Sequence, residues 1–114
     1  MNDTVALSLE EAGNLVSSIL EKAGFSEGHV RTLTWLMVSG ERDGCASHGL
    51  YRTLVCVHSL RAGKVVGDAE PEVHDQAPAI VRVDARGGYS LLAFEAGLPV
   101  LAAKAREQGL AAMA

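Results

Sequence analysis

Asp43-Gly-Cys-Ala-Ser-His-Gly-Leu-Tyr-Arg52 is the stretch around which this chain is organised. Apolar residues recur at helical spacing on both sides of it, and Gly44 and Gly49 interrupt that spacing. Gly44 predicts the end of one helix, and Ser47, a residue type favoured at N-caps, predicts the start of the next. The same ten residues carry a carboxylate, a thiol, a hydroxyl, an imidazole and a guanidinium. If Ser47 caps the helix, His48 and Arg52 lie four apart on it and share one face. One of them can then release a proton while the other holds an anion. The first turn of a helix has unpaired N–H groups and a partial positive charge, which favours an anionic ligand.

Working back toward the N-terminus, Ser26 opens a second helix with an apolar stripe of Val30, Leu33, Met37 and Val38. Arg31, Glu41 and Arg42 can face water on it, and Trp35 and His29 are expected to pack in or against the core. Before it, Leu7-Ser-Leu-Glu-Glu11 has the form of a capping box, with Ser8 as N-cap and Glu11 reaching back. A first helix then runs through Leu9, Ala12, Val16, Ile19, Leu20 and Ala23 to a stop at Gly24.

Working forward, Leu50, Leu54, Val57 and Leu60 continue at helical spacing to Gly63, which predicts a third helix over about 47–62. Pro71-Glu-Val-His-Asp-Gln76 and Ala79-Ile-Val-Arg-Val-Asp84 read as two short strands around a turn at Ala77-Pro78. Arg86-Gly-Gly88 ends the second strand. A fourth helix is predicted over about 89–108, bent at Pro99 and capped by Gly109. The apolar Leu110-Ala-Ala-Met-Ala114 reads as the start of a buried strand, and a strand interrupted there predicts that the natural polypeptide continues. The expected class is α+β: three helices over 1–63, then a β-hairpin, a long helix and a strand over 64–114, together forming the N-terminal portion of a larger α/β fold.

The chain has 114 residues, 48% hydrophobic and 21% charged, with a net charge of -4. That composition fits one soluble domain or part of a larger one. No apolar run approaches the roughly 20 residues of a membrane span, and Met-Asn-Asp-Thr lacks the basic and apolar regions of a signal peptide, so a cytoplasmic address is expected. Cys45 and Cys56 form no CxxC pair, which predicts free thiols and no zinc site. The acidic balance and the lack of Lys/Arg clusters argue against nucleic acid and for a small-molecule partner.

Asp43-Gly44, Ser47-His48-Gly49 and Arg52, preceded by two capped helices and followed by Ser59-Leu-Arg-Ala-Gly63, resemble the N-terminal part of the malate/L-lactate dehydrogenase-like family. That family is distinct from the Rossmann lactate dehydrogenases. It includes ureidoglycolate and sulfolactate dehydrogenases and the Δ1-piperideine-2-carboxylate/Δ1-pyrroline-2-carboxylate reductases. Glu41-Arg-Asp-Gly44 and Val81-Arg-Val-Asp-Ala-Arg-Gly-Gly-Tyr89 resemble the cyclic imine reductase branch, and the resemblance runs through essentially the whole chain. It implies that His48 is the proton donor, Ser47 part of its relay and Arg52 the residue holding the substrate carboxylate. It further implies a homodimer, a small 2-imino or 2-keto acid substrate and NADPH or NADH as cofactor, with NADPH favoured. In the family, the nicotinamide-binding loops and the acid completing the relay lie beyond the matched region, so no cofactor-binding residue is assigned here and the chain alone is expected to be inactive. The alternatives are a 2-hydroxy-acid dehydrogenase of malate or lactate type, and a truncated relic or dimerisation module without catalysis.

The chemistry asks for the same residue types. Hydride delivery to a C=N or C=O carbon builds charge on the heteroatom, and an imidazole, titrating near 6.5, can donate the proton at about neutral pH. The planar fork of arginine suits an adjacent carboxylate better than lysine does. Ser47 can cap the helix, orient His48, or do both, but a bond to His48 requires non-helical geometry there. Cys45 reads as a bystander, Tyr51 as a pocket or packing residue, and His58 and His74 as surface or structural residues without metal-ligand spacing.

Overall fold

A computed structural model describes residues 3–114 of the chain. Its packing divides into two units, one ending at Ala62 and the other beginning at Gly63. The first begins as the capping box requires. The Ser8 backbone N–H donates to Glu11 Oε2 at 2.8 Å, and the Glu11 N–H donates to Ser8 Oγ at 3.1 Å. Helix α1 (Leu9–Ala23) follows and ends on Gly24, whose φ of 112° is left-handed backbone that glycine adopts freely. The Glu11 carboxyl is held below its ordinary value by the Ser8 backbone N–H first and the Ser8 side chain second. The linked stabilisation is complete above the ordinary carboxylate range and is lost as pH falls through the lowered value. Replacing Ser8 with alanine is expected to cost about 1 kcal/mol in a urea unfolding curve of the protein.

Helix α2 (Glu27–Arg42) packs on α1, and Val16 and Leu20 of α1 and Leu33 and Met37 of α2 are buried. Ser17 Oγ and Thr34 Oγ1, 3.1 Å apart, tie the two helices at a polar point. Ser26 stands at the N-cap, but its hydroxyl lies 3.1 Å from His29 Nδ1 instead of capping the backbone. His29 is therefore buried with a polar partner, beside Phe25 at a ring-centroid distance of 6.4 Å. Trp35 departs from expectation, being 63% exposed. It sits two residues from both Leu33 and Met37, and residues two apart on a helix point to different sides.

The predicted third helix is shorter than its apolar spacing implied. Residues Ala46–His48 form a 3-10 turn, and α3 (Tyr51–Arg61) starts only after Gly49, whose ψ of -142° is not helical. Ser47 is therefore not the cap of α3. That position falls to Leu50, which offers no side-chain acceptor. Helix α3 packs on α1, and Thr53 Oγ1 reaches Met37 Sδ at 3.1 Å on α2.

In the second unit, β1 (Glu72–Ala77) pairs antiparallel with β2 (Ile80–Asp84), with Glu72 opposite Asp84 and a register shift between Asp75 and Ala77. The connecting turn is Pro78-Ala79, one residue later than expected. Helix α4 (Ser90–Gln108) continues through Pro99 to a left-handed cap at Gly109. It leads to β3 (Ala112–Met113), which pairs parallel with β2. The sheet order is β1-β2-β3, so α4 is the crossover that two parallel strands need. Gly97 lets α4 lie close to the sheet, since a Cβ there would stand 2.5 Å from Val83 Cγ2 and 3.0 Å from Met113 Sδ. Lys104 fastens the helix by donating to Asp75 Oδ1 at 2.5 Å and Ala77 O at 2.7 Å.

The expected α+β class is what the chain adopts. The last strand, however, is not buried: Ala112 and Ala114 are exposed and Leu110 is 80% exposed. The reason is its place at the edge of the sheet, with only β2 beside it. Among the described residues, no helix is long and apolar enough to cross a membrane.

Candidate active site

The segment between α2 and α3 is built on the end of α2. Asp43 closes that helix, Gly44 turns the chain at a φ of 77°, and the Cys45 N–H then donates back to Gly40 O at 2.7 Å. The 3-10 turn is closed by His48 N–H to Cys45 O at 2.9 Å and Gly49 N–H to Ala46 O at 3.1 Å. The Arg52 N–H donates to Gly49 O at 2.9 Å, joining the turn to the start of α3.

This backbone brings the three predicted site residues together, in a different way from the single helix face expected. Ser47 Oγ lies 3.0 Å from His48 Nδ1, a contact between sequence neighbours that the non-helical turn permits. Arg52 Nε donates to the Ser47 carbonyl at 2.9 Å. Arg52 stands in the first turn of α3, whereas His48 lies before Gly49 and outside that helix. All three side chains are exposed. With the Ser47 hydroxyl donating to Nδ1, the neutral imidazole carries its proton on Nε2. With the ring protonated, Ser47 accepts instead and Nε2–H is still a donor. Arg52 uses Nε for the turn, leaving its terminal nitrogens to face an anion.

The neighbouring polar residues have other engagements. Arg42 forks onto Asp43, Nε to Oδ1 at 2.8 Å and Nη2 to Oδ2 at 3.1 Å. The hydrogen bond first and the charge second hold the Asp43 carboxyl below its usual range. Asp43 is thus committed to Arg42. Cys45 is exposed and Cys56 buried, and no disulfide joins them. Tyr51 is 63% exposed, His58 is exposed, and His74 stands on β1 with its Nε2 3.6 Å from Glu72 Oε1. Among the described residues, no group of His, Cys, Asp and Glu has the geometry to hold a metal ion.

Gly40 and Glu41 also shape this turn and were not among the expected site residues. A Cβ on Gly40 would stand 2.7 Å from His48 O and 2.9 Å from His48 C, so only glycine lets the His48 carbonyl rest against α2. Glu41 faces water, as expected, while its Oε1 accepts from the Leu50 N–H at 2.9 Å. A glycine near the end of a helix was the available signal for the first, and its partner was not readable from spacing. Gly40→Ala is expected to destabilise the protein by about 1–3 kcal/mol, because the atoms it would meet belong to the His48 and Gly49 backbone and cannot move aside cheaply. Urea unfolding of the variant beside wild type checks this.

Comparison with known proteins places these features in a family context. The family model described as malate/L-lactate dehydrogenase matches residues 7–114. The Δ1-pyrroline-2-carboxylate/Δ1-piperideine-2-carboxylate reductase of Pseudomonas aeruginosa is 54% identical over 110 residues, which cover 96% of this chain and 33% of that protein. The Δ1-pyrroline-2-carboxylate reductase of Pseudomonas fluorescens is 46% identical over 113 residues, covering 99% and 34%. Among solved structures, the Δ1-piperideine-2-carboxylate reductase of Pseudomonas syringae pathovar tomato superposes with a TM-score of 0.92 at 36% identity, covering 97% of this chain and 33% of that one. The chain spans about a third of the length of the curated relatives it matches.

Proposed function

This chain belongs to the malate/L-lactate dehydrogenase family, and from that membership we propose that the full-length protein reduces a cyclic 2-imino acid, Δ1-pyrroline-2-carboxylate or Δ1-piperideine-2-carboxylate, with a nicotinamide cofactor. The observation supporting this substrate class is the 54% identity with the Pseudomonas aeruginosa reductase over nearly the whole chain. His48 donates a proton to the ring nitrogen from Nε2 as hydride arrives at C2, and the C=N bond becomes an amine. Ser47 fixes the imidazole through Nδ1. Arg52 holds the substrate carboxylate with its terminal nitrogens while Nε keeps the guanidinium on the Ser47 carbonyl. Proton donor and anion clamp are thereby tied to one residue, which fixes the spacing of the imidazole and the guanidinium that meet the substrate's ring nitrogen and carboxylate.

The cofactor supplies the hydride when bound. The glycines here form no Gly-x-Gly-x-x-Gly phosphate cradle, so none of these residues is assigned to holding it. NADPH is favoured over NADH, a choice supported by the (2R)-3-sulfolactate dehydrogenase (NADP(+)) of Chromohalobacter salexigens, 39% identical over 108 residues. That relative also supports the second reading, oxidation of a 2-hydroxy acid, since the same proton relay and carboxylate clamp serve either reaction.

A substrate panel on the full-length protein tests the proposal. Reduced-cofactor oxidation with cyclic imino acids is expected to exceed that with open-chain 2-keto acids by kcat/KM. The reverse order would transfer the assignment to the hydroxy-acid reaction.

A further inference from the structure

We propose that Glu41 is a positioning residue for His48, an inference that rests on the reading of His48 as proton donor. Glu41 lies in the last turn of α2, where a carboxylate opposes the partial negative charge of the helix end. Its own helix therefore gives no electrostatic reason for an acid there. Across the segment that carries Ser47 and His48, its Oε1 accepts the Leu50 N–H at 2.9 Å, and Leu50 is the N-cap residue of α3. Helix α3 has no side-chain cap of its own. Glu41 supplies the acceptor from outside, at a helix start where a negative charge is favoured.

Two glycines make the clamp possible. Gly49 is buried against the Glu41 side chain, and a Cβ there would collide with Glu41 Oε1 and stand 2.5 Å from Cδ and 2.7 Å from Cγ. Gly40 admits the His48 carbonyl against α2 from the other side. The backbone from His48 to Leu50 is thus held between the two last-turn residues Gly40 and Glu41, while Arg52 Nε holds the Ser47 carbonyl. Release of the Leu50 amide frees the downstream end of the turn, and with it the orientation of the imidazole that Ser47 alone cannot fix.

The test uses the full-length protein with Glu41→Ala, Glu41→Gln and His48→Gln, assayed on a cyclic imino acid at a temperature well below all unfolding midpoints. A misplaced proton donor should lower kcat by about tenfold in Glu41→Ala with KM nearly unchanged, since small displacements of reacting groups cost rates of this order. Glu41→Gln keeps an acceptor oxygen for Leu50 and should restore kcat to within about threefold of wild type. A purely structural role would lower the unfolding midpoint of Glu41→Ala and leave kcat untouched, and that result overturns the inference. So does a loss of kcat that glutamine fails to rescue. The two readings separate through His48→Gln: if that variant loses activity while Glu41→Ala keeps it, only the Glu41 inference fails. If His48→Gln keeps full activity, the assignment of the proton donor fails, and the Glu41 inference with it.

Discussion

Replacing His48 with glutamine in the full-length protein is expected to lower kcat for imine reduction by about 10²–10⁴-fold, with KM changing little. Glutamine approximates the size of the imidazole and can still meet the Ser47 hydroxyl, which lies 3.0 Å from Nδ1 in the native turn. It cannot release a proton at any accessible pH. The ring nitrogen of the substrate would then take its proton from water while hydride arrives, and the barrier rises by what the positioned acid had supplied. Because His48 is exposed and outside α3, removing it opens no cavity, and the fold should be unaffected. Steady-state kinetics beside a far-ultraviolet circular dichroism spectrum checks both halves. A kcat within a few-fold of wild type would remove His48 from the chemistry.

The second large effect is expected at Arg52. Arg52→Ala should lower kcat/KM by about 10²-fold, mostly through KM, because the substrate carboxylate loses its charged partner. Arg52→Lys should recover only part of this. Lysine keeps the charge but has neither the fork that meets both carboxylate oxygens nor an Nε to hold the Ser47 carbonyl at 2.9 Å. The lysine variant should therefore show a reduced kcat as well as a raised KM, since the turn carrying His48 loses one of its ties. Equal kcat/KM for Arg52→Lys and wild type would mean that charge alone matters and that the Nε bond is incidental.

Where local chemistry decides the structure, the sequence could be read directly. The Ser8–Glu11 capping box, the glycine stops of α1 and α4 and the alternation in Ile80-Val-Arg-Val-Asp84 each express a rule acting within a few residues. The start of α3 was not legible in this way. Its apolar spacing runs back through Leu50, but Gly49 leaves helical geometry where Glu41, eight residues earlier, packs against it. Trp35 misled for a related reason, since its size suggests burial while its position relative to Leu33 and Met37 turns it to the solvent side.

The candidate site divides along the same line. Ser47, His48 and Arg52 could be singled out from residue type and spacing, and their roles came from the resemblance of the surrounding motif to the dehydrogenase-like family. Their arrangement depends on a 3-10 turn and on a side chain reaching a backbone carbonyl, neither of which spacing encodes. Glu41 was legible as a water-facing residue and as part of the Glu41-Arg-Asp-Gly44 motif, but not as a partner of Leu50. It does face water, and its second use appears only once α2 and the start of α3 are seen side by side.

In the proposed reaction the full-length protein adds hydride to C2 of a cyclic imino acid whose carboxylate and ring nitrogen are managed by the Ser47–Arg52 turn. Its most direct test is reduction of Δ1-piperideine-2-carboxylate with a reduced nicotinamide deuterated at its transferable position, followed by mass and NMR analysis of the product. The expected product is a saturated cyclic amino acid carrying deuterium at C2, formed in step with cofactor oxidised. Cofactor consumption without labelled product, or no consumption with this substrate while a 2-keto acid is reduced, would contradict it.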